Sequence, residues 1–134
     1  MSNCLLDTDT VSYYLRNIEP VVSRAKDYLQ QYGKLTISVI TVFEVIYGCR
    51  KAGRVKREEE FRAFLQTSEV LSLDPSSAER AAALLVELEA KGTPIALPDL
   101  LIASIALDND LTVVTNNQSD FGRVPGLKLA NWLA

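Results

Sequence analysis

The sequence contains no histidine, and that absence removes a large share of enzyme chemistry. Ser-His-Asp and Cys-His nucleophilic catalysis, imidazole proton transfer and every His-ligated zinc site are excluded. Only two cysteines are present, Cys4 and Cys49, too few for a four-thiolate zinc site, and neither lies in a CxxC pair. Basic charge is also short: 14 Lys and Arg stand against 17 Asp and Glu, a net charge of -3. A chain that gripped nucleic acid by bulk charge alone would be basic. No apolar run approaches the ~20 residues that span a bilayer. No basic segment precedes an apolar stretch at the N-terminus, so no signal peptide is expected. The expectation is a cytoplasmic protein with no membrane association and both thiols reduced. Chemistry must rest on carboxylates, hydroxyls, amides and the Lys/Arg set.

What is present suffices for one core. The chain has 134 residues, 48% of them hydrophobic and 23% charged, which suits a single folded domain over residues 1–134. Cys4 to Leu6 reads as a short buried strand halted by Asp7-Thr8-Asp9-Thr10. Val11, Tyr14 and Leu15 then share one face of a helix. Pro20 suits the first turn of the next helix and Gly33 its C-terminal cap. Leu35 to Ser38 reads as a second strand, and Val39 to Ala52 has helical spacing. Phe61, Phe64 and Leu65 mark a further helix, Val70 to Leu73 a third strand, and Ser77 to Lys91 a long helix. Pro98 is expected to open a helix running to about Asn109, followed by strands at Thr112 to Thr115 and Leu127 to Ala130. Short apolar strands alternating with helices indicate an α/β fold whose parallel sheet is covered on both faces.

In such folds ligands bind beyond the carboxyl ends of the strands, so acids matter by position. Asp7 and Asp9 follow the first strand, Glu44 falls in the helix after the second, Asp99 opens a helix, and Asp120 leaves the fourth strand. If the first, second and fourth strands are neighbours, Asp7, Glu44, Asp99 and Asp120 converge. Such a cluster repels itself unless a cation is present, and an all-oxygen site suits Mg2+ or Mn2+. Paired ions in such a cleft can clamp both oxygens of a phosphodiester with no histidine. Setting those four acids aside leaves 13 acids against 14 bases, so the remaining surface need not repel a polyanion. Each acid also has a plainer reading. Asp7 could end a strand in a turn, Thr41-Val42-Phe43-Glu44 matches a helix capping box, Asp99 could favour a helix N-terminus, and Asp120 could be a loop residue.

Taken together, four segments resemble the motif blocks of PIN-domain nucleases: Leu5 to Asp9, Ser38 to Gly48 through Glu44, Pro98 to Ala103, and Thr115 to Phe121. The closing Val124-Pro125-Gly126-Leu127 with Trp132 is similar to VapC-type toxins of bacterial toxin–antitoxin pairs. The resemblance implies a PIN-like three-layer α/β/α fold around a central parallel sheet of four to five short strands. It implies a Mg2+-dependent endoribonuclease, with Mn2+ as a possible substitute, that acts on RNA, forms a homodimer and is silenced by an antitoxin. Asp7, Glu44, Asp99 and Asp120 map onto the catalytic, metal-binding acids, and Thr115 and Asn117 onto supporting polar positions. Asn117 departs from the many members that carry a further aspartate there, which would weaken a second cation's hold.

Other readings compete. Asp7-Thr8-Asp9-Thr10 also fits the opening of haloacid-dehalogenase-like phosphatases, with Asp7 as nucleophile and Asp9 as general acid/base. A receiver-like signalling domain would bind Mg2+ at Asp7 and Asp9 and take phosphate on Asp74. A partner-binding module without catalysis is a further alternative. The basic run Arg50, Lys51, Arg54, Lys56, Arg57 could hold RNA phosphates or be a solvated helix end. Tyr13, Tyr14, Val21, Val22, Tyr28 and Leu29 could build the dimer or cover the sheet.

Overall fold

A computed structural model describes residues 3–134 of the chain. Five strands supply the centre: β1 (Cys4–Leu6), β2 (Thr36–Ser38), β3 (Glu69–Leu71), β4 (Thr112–Val114) and β5 (Leu129–Ala130). Seven helices occupy the intervals among the described residues: α1 (Thr8–Leu15), α2 (Val21–Tyr32), α3 (Val39–Ala52), α4 (Val55–Leu65), α5 (Pro75–Ala90), α6 (Leu97–Asp108) and α7 (Gln118–Phe121). Every pairing is parallel. β4 lies between β1 and β5, with Leu5 opposite Val113 and Val113 opposite Leu129, while β2 pairs β3 with Ile37 opposite Val70. The two ladders meet where β1 runs beside β2. The first, second and fourth strands are therefore neighbours, and their carboxyl ends share one edge.

Alternation along the strands explains the three layers, since successive side chains point to opposite faces. Leu5 and Val113 join a core built with α5, α6 and α7, through Ala81, Leu88, Ile102 and Phe121. Cys4, Leu6 and Val114 enter a second core with α1, α2 and α4, through Val11, Val21, Tyr28 and Phe61. Each central strand is thus buried on both faces, which is why its sequence is continuously apolar.

Several boundaries differ from the sequence reading for identifiable reasons. β3 begins and ends earlier than Val70 to Leu73 because it pairs on one side only and leaves Glu69 and Val70 exposed. Leu73, beyond the strand, still packs on the first core. α5 begins at Pro75 because Asp74 caps it, its Oδ1 accepting from the Ser77 N–H at 2.9 Å. Pro98 is the second residue of α6, and Pro20 stands just before α2. Gly33 closes α2 as expected, at φ +82°, where a β-carbon is disfavoured. The early helices leave little surplus apolar surface: Val21 and Tyr28 are buried, and Tyr13, Tyr14 and Leu29 pack on the second core. The large exposed apolar side chains lie elsewhere, with Phe43 66%, Tyr47 54% and Leu97 58% accessible. Among the described residues no helix is long and apolar enough to cross a membrane.

Phe61 is fully buried and stacks on Phe64, their ring centroids 6.0 Å apart. Phe61→Ala should therefore cost about 3–5 kcal/mol, read as a lower urea midpoint with an unchanged slope. A loss below about 1 kcal/mol would show that α4 is not anchored by this ring.

Candidate active site

Asp7 follows β1 directly, and the burial of that strand carries into its side chain, which is 4% exposed. Its backbone N–H donates to the Val114 carbonyl at 3.1 Å, continuing the ladder one residue past the strand. Its Oδ1 accepts from the Thr10 N–H at 2.8 Å, so Asp7 is also the N-cap of α1. The Thr115 hydroxyl bonds the same carboxylate. Burial raises the proton affinity of Asp7, the hydrogen bonds oppose that rise, and nearby Asp9 adds to it. Its turn-forming and site-forming positions are thus one and the same.

Glu44 is not part of a capping box. α3 is capped by Ser38, whose Oγ accepts from the Thr41 N–H at 3.4 Å, so Glu44 lies in the second turn. Its Oε1 instead accepts from the Thr8 hydroxyl across 36 residues of chain. Thr8 Oγ1 also lies 3.0 Å from Thr41 Oγ1. A hydroxyl has one proton, so with Thr8 donating to Glu44, Thr41 must donate to Thr8. Thr8 and Thr41 are the site residues that the sequence reading missed. Both lie within the motif segments, but the pairing itself has no local pattern.

Asp99 stands in the first turn of α6. Its proton affinity is raised to about 6, first by burial and then by Glu44, Asp7, Asp120 and Asp9 in that order. Glu44, Asp7 and Asp120 are thus all close enough to Asp99 at the carboxyl edge for their charge to raise its proton affinity. Asp120 lies 3.5 Å from the Arg123 guanidinium. Asn117 Nδ2 donates to its Oδ2 at 3.0 Å, and Asn117 also caps the short α7. Thr115 is fully buried and its Oγ1 accepts from the Asn117 N–H at 2.9 Å. Thr115 therefore links Asp7 to the loop that carries Asp120.

The donor set is all oxygen and strongly anionic, which fits a hard divalent cation. The side chains are not drawn together in ligating geometry: among the described residues no three of them form a group positioned to hold an ion. Glu44 is held by Thr8, and Asp120 by Asn117 and Arg123.

A model of the family described as PIN domain matches residues 4–127. The chain belongs to the PIN domain family. It is 35% identical over 133 residues to the tRNA(fMet)-specific endonuclease VapC of Salmonella typhimurium, covering 98% of this chain and 99% of that one. Its fold is similar to that in the crystal structure of VapBC2 from Rickettsia felis bound to a promoter DNA fragment, with a TM-score of 0.87 and 30% identity, covering 96% of this chain and 98% of that one. The DNA-bound VapBC from Salmonella typhimurium gives a TM-score of 0.83 and 34% identity, with 98% and 99% covered. Membership of this PIN family sets aside the phosphatase and receiver readings of Asp7-Thr8-Asp9-Thr10. Asp74, the phosphate acceptor of the receiver reading, is occupied in capping α5.

The raised proton affinity of Asp99 carries a pH signature. The folded carboxyl holds its proton up to about pH 6, whereas an ordinary aspartate loses it near pH 3.8. Its contribution to stability is therefore greatest below pH 4 and is lost as pH rises through 6. In EDTA, wild type should lose about 1–2 kcal/mol relative to Asp99→Asn over that interval, solvent screening having reduced the full shift. Parallel urea-derived stability curves for the two proteins would show that Asp99 does not feel the other acids.

Proposed function

We propose that this PIN-family chain is an endoribonuclease, the toxin of a toxin–antitoxin pair, acting on RNA phosphodiesters in the cytoplasm. The observation that carries this reading is the convergence of Glu44, Asp7 and Asp120 on Asp99 in a chain without histidine. The endonuclease named among its relatives supports the reaction type, and the VapBC assemblies support a protein partner. Asp7, Glu44, Asp99 and Asp120 would hold Mg2+, with Mn2+ as substitute. A divalent ion there would supply charge stabilisation to a phosphodiester as it breaks.

The chain's own residues orient that set. Thr115 and the Thr10 N–H fix Asp7, and the Thr41–Thr8 hydroxyl chain aims Glu44. Asn117 holds Asp120 while contributing no charge of its own. Asp99 has the most to gain from a cation, because burial and like charges act on it together. Asp9 is exposed at the rim and stands outside the proposed ligand set.

Purified protein incubated with total RNA should cut it in Mg2+ or Mn2+ and not in EDTA. Asp7→Asn, Glu44→Gln and Asp99→Asn should each lower the rate on the order of 100-fold or more while staying folded. Asp9→Asn should be much milder. Cleavage that persists in EDTA, or that survives all three substitutions, would sink the reading.

The homodimer is part of the same proposal, and its face is α3 and α6 rather than the early helices. Phe43 and Tyr47 stack on exposed α3, with ring centroids 6.0 Å apart, and α3 packs on α6, where Leu97 is exposed. Sedimentation at micromolar concentration should give a dimer that Tyr47→Glu weakens; a wild-type monomer would remove the claim.

A further inference from the structure

The basic run from Arg50 to Arg57 is sorted by its contacts. The Arg50 guanidinium meets Glu58 at 3.2 Å, and Arg62 shares that carboxylate at 3.0 Å. The Lys51 ammonium lies 5.6 Å from the centre of the Tyr47 ring. Arg54 and Arg57 differ: among the described residues neither takes part in an ion pair. Both line one groove of about 410 Å3 between α1, α3 and α4. The same groove is lined by Thr8, Asp9 and Glu44, at the rim of the acidic site.

We propose that Arg54 and Arg57 are positioning residues for the RNA strand, holding backbone phosphates beside the scissile one while the strand lies along this groove. The assignment rests on the ribonuclease reading of the acidic end. Three observations carry it. Glu44, Arg54 and Arg57 all line the same groove. From Glu44 to Ala52, α3 rises about 12 Å at 1.5 Å per residue, so the arginines reach neighbouring phosphates rather than the scissile one. Among the lining residues that follow Ala52 in the chain, Arg54 and Arg57 supply two unpaired cations against the single carboxylate of Glu60.

A polyanion entering a carboxylate-lined site needs attraction from outside that site, and the net charge of -3 does not supply it. Guanidinium is suited to this because its planar donors bind a phosphate through two oxygens. The cations already engaged by Glu58 and by Tyr47 would have to give up those contacts first.

The test uses the whole chain and a short fluorescein-labelled single-stranded oligoribonucleotide. Anisotropy in EDTA, over a range of KCl, reads binding separately from cleavage. Removing both charges, as Arg54→Ala with Arg57→Ala, should lower the slope of log Kd against log salt by about 1.4, or about 0.7 per phosphate contact. Arg54→Lys with Arg57→Lys should recover most of that slope, and Lys91→Ala, at the C-cap of α5, should leave it unchanged. In Mg2+ the double alanine variant should show a raised KM with kcat held within about twofold, the pattern of lost uniform binding. Circular dichroism confirms that the variants are folded, and the lysine pair provides the test if the alanine pair is not.

A folded double alanine variant with the wild-type slope would overturn the assignment, even with cleavage intact. So would an unchanged slope with weakened antitoxin binding, which would give the groove to a protein partner. A wild type that binds with the expected slope but cuts no RNA would instead remove the ribonuclease reading.

Discussion

Carboxylates crowded at one edge of a parallel sheet repel one another, and much of the remaining architecture serves to hold them there without neutralising them. Asp7 is buried and Asp99 partly so, each with its proton affinity raised by burial first. Lys or Arg placed among them would lower those proton affinities and cancel their charge. The partners supplied are instead neutral: the Thr10 N–H and the Thr115 hydroxyl on Asp7, and the Thr8 hydroxyl on Glu44. Such donors fix direction while leaving the negative potential in place. Arg123 is the exception, and it pairs with Asp120.

Withstanding that repulsion requires rigid support, and the doubly covered sheet provides it. β1 and β4 are three residues long and buried throughout, so each delivers a polar residue, Asp7 or Thr115, immediately beyond the sheet and still out of water. Their alternate side chains are locked into separate cores, Leu5 and Val113 in one and Leu6 and Val114 in the other. A fully buried Leu or Val side chain contributes about 1.5–3 kcal/mol, so a few such residues offset the strain of the acidic edge. The length of the strands is thus tied to the position of the acids: one more apolar residue would carry Asp7 away from Thr115 and out of its capping role.

What the sequence made legible was local chemistry. The helical spacing of Val39, Val42, Phe43, Ile46 and Tyr47 places a helix at about Val39 to Ala52, and in the structure the Ser38 cap and the left-handed Gly53 set those ends. The four acids could be placed at one edge because parallel strands leave only one edge for their carboxyl ends. Non-local pairings were not legible. Thr8 meets Glu44 across 36 residues, and no periodicity encodes that contact. The Thr41-to-Glu44 spacing even suggested a cap that Ser38 already supplies. The apolar surplus assigned to the early helices was likewise a counting argument blind to geometry, since α2 places Val21, Ala25 and Tyr28 on one buried face.

Asn117 shows how one uncharged atom pair can divide such a site. Its Nδ2 donates to Asp120, and its Oδ1 accepts from the Asp120 N–H at 3.4 Å. An aspartate in its place could keep the second contact but would turn the first into a clash of carboxylates. Asparagine therefore lets Asp120 sit close to the loop that carries Thr115, at the loss of one anionic donor. On the proposed reading, Asp7, Glu44 and Asp99 retain the charge needed to hold a cation. Asp120, already shared between Asn117 and Arg123, would hold a second one more weakly. On that reading, the asparagine that steadies the loop would also bias the site toward unequal occupancy, tying the affinity of the second ion to a hydrogen bond within the protein.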